Sequence, residues 1–315
     1  MVFTSYFFSA AAQSFVLTKT RAPKVNVENY KQIAIGDIAG PSGSQTEESL
    51  NLSDELSSKL FNANVQEILD RNALEKMLAS HSKFTLGDEK TVAILKKKLN
   101  NAVLLTGRIQ TKNISQEETS SKNIVVVNGC YYSYQWKAAC EMTVQVKIVD
   151  VSTGKMLFNS PVTKKSSFQS KATCEHTQKI EPSYMASETL KDVAAEITKL
   201  LVPYKEDVNI PFLTGTLFKK PFKKIDQVIM NFRAGNFEDG LMILKAYAED
   251  NSLKDKFKEQ AYFNYALGLF CANQFAQAKT EMKKAISLSP GDFNYQLWYA
   301  KFDEEHASDQ KIAKQ

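Results

Sequence analysis

The feature that most constrains this chain is a change of hydrophobic period along its length. Leu52, Leu56 and Leu60 recur every fourth residue and share one helix face, whereas Met142, Val144, Val146 and Ile148 recur every second residue. Thr143, Gln145 and Lys147 take the other side of that second pattern, as in a strand with one face on a core. Both spacings occur before residue 203, and after residue 220 only the helical one remains. A chain of 315 residues holds about two ordinary domains, and its 43% apolar content supplies a core for each. The expected layout is an α/β domain over 30–202, an extended linker over 203–220, an all-α domain over 221–307 and a short tail at 308–315.

Within the first domain, Ile33 to Ile35 read as a strand that runs into a Gly- and Ser-rich loop before the helix of Leu52. Val65 to Leu69 form a second strand, and Asn72 with Glu75 resembles a capping box for the next helix. A helix over 88–100 leads to a buried strand from Ala102 to Thr106, ending at Gly107. Ser152 to Lys155 turn the chain between Ile148 and its hairpin partner, Met156 to Val162. Leu190, Val193, Ala194, Ile197 and Leu201 close the domain with an amphipathic helix. This order predicts an α/β sandwich with helices on a mixed sheet.

Val2 to Gln13 is apolar and ends in small residues at A-x-A spacing, which predicts an exported chain cut after Ala12. The basic start of such a signal is missing, so a frayed N-terminal strand is the alternative. No other apolar run approaches the roughly 20 residues of a spanning helix. The mature chain is therefore expected to be soluble or peripheral.

Composition leans away from chemistry. Three His and four Cys are scattered, and no H-E-x-x-H, G-x-S-x-G or Walker pattern is present. Gly154-Lys155 lacks the earlier glycine and following helix of a phosphate loop. Asp37 beside Gly36 and Gly40 is the best isolated catalytic candidate, but at a strand end it reads as a turn or cap residue. No catalytic residue, cofactor or metal is expected. Cys130 and Cys140 flank an aromatic segment and are a candidate disulfide; free thiols, or a pair involving Cys174, are the alternatives. Cys174 and His176 with those two could hold zinc only without the usual ligand spacing, and Cys271 reads as core. A net charge of +5 is too diffuse for a nucleic-acid partner. Lys219, Lys220, Lys223 and Lys224 read as a solvated boundary or as a contact for an anionic surface such as lipid head groups or cell-wall polymer.

Two resemblances sharpen this. The order Ile33-Ala34-Ile35-Gly36-Asp37, Asp54-Glu55-Leu56, Val65 to Leu74, Leu104 to Ile109 and Val146 to Leu157 resembles the periplasmic domain of the curli secretion channel (CsgG-like) family. That likeness implies a non-enzymatic bacterial envelope protein, in the periplasm or peripherally associated with the outer membrane, whose relatives form rings, with self-association, protein partners in the envelope, and an assembly or secretion role. It leaves a secretion-channel subunit and a peptidoglycan-synthesis regulator as alternatives. Channel members extend two hairpins into a barrel. Here Cys130, Tyr132, Tyr134 and Trp136 alternate as one plausible aromatic strand, but Ser115 to Asn123 and Thr163 to Lys171 offer no lipid face.

Tyr262, Tyr265, Ala266, Leu269, Asn273, Phe275, Ala278, Met282, Ala285 and Pro290 are similar in spacing to a tetratricopeptide helix pair. Gly235-Asn236-Phe237 with Gly240 and Leu244 places the same turn one repeat earlier. The resemblance implies a module that recruits a protein. Phe263, Leu267 and Phe270 lie on the usual inner face, where they either line a groove for an extended partner or pack on the preceding helices or beneath the linker.

Overall fold

The computed structural model describes residues 10–64, 66–78, 89–99, 101–127, 130–176, 178–216 and 219–313. In chain order its strands are β1 (Ala10–Arg21), β2 (Gln32–Ala39), β3 (Glu67–Leu69), β4 (Ala102–Val127), β5 (Cys130–Asp150), β6 (Met156–Gln169) and β7 (Tyr204–Thr216). Its first helices are α1 (Glu47–Ala63), α2 (Arg71–Leu78), α3 (Glu89–Lys98) and α4 (Pro182–Thr198). The remaining five are α5 (Ile225–Arg233), α6 (Phe237–Glu249), α7 (Asp255–Cys271), α8 (Phe275–Leu288) and α9 (Phe293–Ala313). The chain divides into two compact units, residues 23–203 and residues 1–22 together with 204–315.

The 23–203 unit is built on a sheet of order β3-β2-β4-β5-β6. β2 pairs in parallel with β3 and β4, while β4–β5 and β5–β6 are antiparallel, so the sheet is mixed. α1 begins at Thr46, whose hydroxyl accepts from the Ser49 amide while the Ser49 hydroxyl accepts from the Thr46 amide, and it ends where Asn64 takes a left-handed conformation. Its Leu52, Leu56 and Leu60 pack with Leu190, Val193 and Ile197 of α4 over Ile33, Ile35, Val144, Val146 and Ile148 of the sheet. On the opposite face Leu74, Leu78, Leu95 and Leu99 of and after α2 and α3 cover Ala34, Ala102 and Leu104. Helices thus lie on both faces of the sheet, as the changing period predicts.

Two local expectations change. α2 starts one residue before Asn72, and its first turn is capped by Asp70, whose carboxylate accepts from the Ala73 amide at 2.8 Å. Glu75 instead pairs with Arg71 one turn back. β4 does not end at Gly107 but runs to Val127. Its pairing with β5 continues through a bulge between Ile109 and Thr111, and backbone pairing carries the strand where its side chains lose apolar alternation. The β5–β6 turn is held by Asp150, which accepts from the amides and hydroxyls of Ser152 and Thr153.

In the other unit β1 and β7 form a two-stranded antiparallel ribbon, registered from Ala10 opposite Thr216 to Arg21 opposite Tyr204. The stretch expected as a linker is therefore mostly strand, and its partner comes from the far end of the chain. Inward-facing Phe15, Val208, Ile210 and Phe212 join the core of α5–α9. The helices repeat at 38 residues: Phe232, Gly235, Phe237, Gly240 and Leu244 become Phe270, Asn273, Phe275, Ala278 and Met282. Gly235 and Asn273 both adopt positive φ, 80° and 59°. Each turn closes with the same six-residue bond, Asn236 to the Asn231 carbonyl and Gln274 to the Leu269 carbonyl, both 2.8 Å. A side chain at Gly240 would collide with the Phe232 ring, so a small residue there sets the α5–α6 approach.

Candidate functional site

The β4–β5 hairpin outruns the rest of its sheet. The last β5–β6 pair is Lys137 with Gln169; beyond it β4 runs about ten more residues and β5 about seven, on the order of 20–30 Å at strand rise, with only an isolated bridge from Tyr134 to Thr173 on the β5 edge among the described residues. Strand alternation sorts its side chains. One face carries Gln116 opposite Ala138, Glu118 opposite Trp136 and Ser120 opposite Tyr134; the other carries Glu117 opposite Lys137, Thr119 opposite Gln135 and Ser121 opposite Ser133. The second face is polar throughout.

The part of the aromatic face up to Tyr134 is covered by residues 170–176 and 178–181, which follow β6, while Tyr132 on the same face stays exposed. Tyr134 and Thr173 exchange both backbone hydrogen bonds, at 2.7 and 3.0 Å. The Gln116 amide side chain donates to the Ile180 carbonyl at 2.9 Å and accepts from its amide at 3.0 Å. His176 pairs with Glu118 at 2.7 Å and lies over the Tyr134 ring at 4.0 Å, and the Lys179 ammonium sits 5.4 Å from the centre of Trp136. The Tyr134 and Trp136 side of the ribbon is thus engaged by the chain itself.

The helical unit has a different signature. α7 is buried on nearly all sides, because α6 and α8 flank it and β7 crosses it. Asn264 on α7 is buried and uses its whole amide on one residue of β7, accepting from the Leu213 amide at 2.8 Å and donating to the Leu213 carbonyl at 2.7 Å. At the other end Lys19 and Arg21 of β1 reach Glu305 of α9. Arg21 also pairs with Glu206 at 2.7 Å, and the Lys19 ammonium lies 4.7 Å from the Phe270 and Phe275 ring centres. Burial alone would depress the Arg21 guanidinium, but hydrogen bonds and charge from Glu305 and Glu206 outweigh it and hold the group firmly protonated.

Against this geometry, the model of the family described as "Curli production assembly/transport component CsgG" matches residues 6–191, more than half of the chain. The chain belongs to the CsgG family. Solved structures similar to it include the lipoprotein GNA1162 from Neisseria meningitidis, at 10% identity and TM-score 0.33, covering 53% of this chain and 96% of that one. The hypothetical protein CT253 from Chlamydia trachomatis is 9% identical at TM-score 0.31, covering 54% and 96%. A PelC dodecamer from Paraburkholderia phytofirmans is 12% identical at TM-score 0.27, covering 60% and 99%. No curated protein matches the chain. The CsgG match begins within or before β1, a strand that packs in the helical unit.

The residues singled out from sequence fare unevenly. Phe263, Leu267 and Phe270 are all fully buried, so the open-groove alternative is corrected: Phe263 stacks on Tyr295 at 4.8 Å, Phe270 on Phe302 at 5.2 Å, and the row is core. The Cys130–Cys140 bridge is also corrected. Cys140 is a free thiol in the core beside Ala138 and Met185, while Cys174 is disulfide-bonded. Alternation explains the error, because position 140 points inward with Met142 and Val144. Cys174 is thereby unavailable to zinc. Among the described residues no three His, Cys, Asp or Glu gather in a metal-holding group. Asp37 forms an ion pair with Arg71 at 3.0 Å and accepts from the Gln45 side chain at 3.0 Å, a structural engagement of loop and helix. Cys271 is core, and burial pushes its thiol up.

Lys219, Lys220, Lys223 and Lys224 are all exposed. The expected cut after Ala12 falls inside β1, where Ala10, Ala11 and Ala12 pair with Thr216, Gly215 and Leu213; the apolar residues 2–9 lie outside the described residues. Sequence reading missed Asn264, the Lys19–Arg21–Glu305 network and the covering segment 170–181. Each joins residues far apart in sequence, and none carries a local signal.

Proposed function

We propose that this CsgG-family chain is a non-enzymatic accessory component of envelope assembly or secretion. In this reading the α/β unit docks or self-associates, and the helical unit recruits a protein partner through surfaces other than Phe263, Leu267 and Phe270. The family match over 6–191 is the observation that carries the reading. The repeat of two like helix turns supports a recruiting role for the second unit, since stacked helix pairs ordinarily present extended binding surfaces. Cell fractionation of the tagged full chain tests it. Recovery in the envelope, with loss of surface assembly or secretion on deletion, is expected; an intact Met1 in the cytosol with no such phenotype overturns it.

A channel subunit is the second reading, favoured by the length of the β4–β5 ribbon. Its described stem argues otherwise, because one face is polar and the other is engaged by the chain at Gln116, Tyr134 and Trp136. No helix among the described residues is long and apolar enough to cross a membrane, which leaves a barrel to be tested by conductance.

A further inference from the structure

We infer that the segment after β6, residues 170–176 and 178–181, is a redox-releasable strap: the disulfide of Cys174 holds it over Tyr134 and Trp136, and a dithiol reductant lets it go. The strap belongs to the α/β unit, and its release goes beyond the assembly role above.

The two ends of the strap are anchored without the disulfide. Before it, Phe168 packs with Ala138, Cys140 and Met185. The Ser170 amide donates to the Trp136 carbonyl at 2.9 Å, and the Ser170 hydroxyl accepts from the Trp136 amide at 2.9 Å. At the far end Ile180 joins the same apolar cluster, with Gln116 closing both of its backbone groups. The middle has no such footing. Lys171-Ala172-Thr173-Cys174-Glu175-His176 carries no large apolar side chain, and all but Thr173 are exposed. Its other holds are the Tyr134–Thr173 backbone pair, the His176 contacts to Glu118 and Tyr134, and Lys179 near Trp136. Hydrogen bonds and ion pairs at a wet surface contribute little net stability, because water offers the same partners. A covalent tie supplies what an absent core cannot.

The cysteines differ in access. Cys174 is exposed and disulfide-bonded, whereas Cys140 and Cys271 are free thiols buried in the folded chain, where such groups are inert. An exposed disulfide is the labile kind, open to attack by an external thiolate. One thiolate of a dithiol attacks the bond and forms a mixed disulfide, and its second thiolate resolves it. The bond takes up two electrons and two protons, Cys174 and its partner sulfur end as thiols, and the reductant closes to its own disulfide. The middle of the strap is then held by surface contacts alone. Its opening returns the Tyr134 amide and carbonyl to an unpaired strand edge beside exposed Tyr132. In an oxidising compartment the strap stays shut.

The test is hydrogen exchange of the full chain with and without dithiothreitol, alongside peptide mapping of alkylated cysteines. On reduction the Tyr134 and Thr173 amides should exchange roughly thirtyfold faster or more, the low end of what a disulfide ordinarily contributes, while the amides of α4 stay protected. Cys174 should be alkylated and Cys140 should not. Cys174→Ser should reproduce the faster exchange without reductant, keep the α4 protection of the parent, and open Lys171 and Lys179 to trypsin. Unchanged exchange at Tyr134 and Thr173 once Cys174 is fully reduced overturns the inference. So does alkylation of Cys140 together with Cys174, or loss of α4 protection in the variant, since either makes the disulfide a support of the whole unit. A disulfide that resists dithiothreitol until the unit melts overturns it as well.

Discussion

Replacing Arg21 tests whether the N-terminal strand holds the helical unit together. The Arg21 side chain is 10% exposed and Glu305 is 2% exposed, so their ion pair is shielded from water, unlike the Arg21 contact to Glu206, which is 51% exposed. Arg21→Ala leaves the Glu305 carboxylate buried with Lys19, at 3.7 Å, and with the charge of Lys301 on its own helix. Breaking one side of a buried pair costs about 3–5 kcal/mol, and the residual Lys19 attraction places this case near the lower end. For a unit of this size such a loss lowers the melting temperature by roughly 10 °C. The decisive comparison is Arg21→Met with Glu305→Leu, which removes both charges and keeps apolar bulk. That double variant should recover most of the loss, because the cost lies in the orphaned carboxylate and not in the missing attraction. Thermal melts of the parent, both single variants and the double variant supply the cycle. A single-variant loss below about 1 kcal/mol, the range of an exposed pair, would refute the reasoning.

Three further outcomes follow from the same geometry. Phe270→Ala should cost about 3–5 kcal/mol of stability by thermal or urea melt while leaving partner affinity of the folded fraction unchanged, since the ring lies in the core against Phe302. Burial alone would raise the Asp150 carboxyl, but hydrogen bonds from Ser152 and Thr153 outweigh it and hold it at about 2, below the usual 3.8. Its stabilisation is therefore present above the usual value and lost as pH falls through about 2, and Asp150→Asn should remove about 2 kcal/mol and flatten acid melting across that window. In planar bilayers the detergent-free full chain should pass no ion current, because the described ribbon lacks a continuous apolar face; steady single-channel steps would count against that assignment.

The hydrophobic period alone determined the element types. Leu52, Leu56 and Leu60 can bury together only on a helix, and Met142 to Ile148 only on a strand, since the backbone dictates which neighbours share a face. The recurrence of the turn at Gly235 to Leu244 one repeat before Asn273 to Met282 was legible for the same reason, as was the exposure of the lysine run. Tertiary structure decided what lay beyond local spacing. β4 extends to Val127 because β5 supplies backbone partners, whatever the polarity of its side chains. Phe263 and Phe270 are core because Tyr295, Trp298 and Phe302 of α9 pack on them, and a helical pattern cannot say what covers its second face. Cys140 is a free thiol because its inward register removes it from any exposed partner. Arg21 meets Glu305 across 284 residues of chain, and no local pattern encodes a charge balanced at that distance. Periodicity is a property of one segment and its backbone, whereas burial, pairing and charge compensation belong to two segments at once, and only the folded chain brings those together.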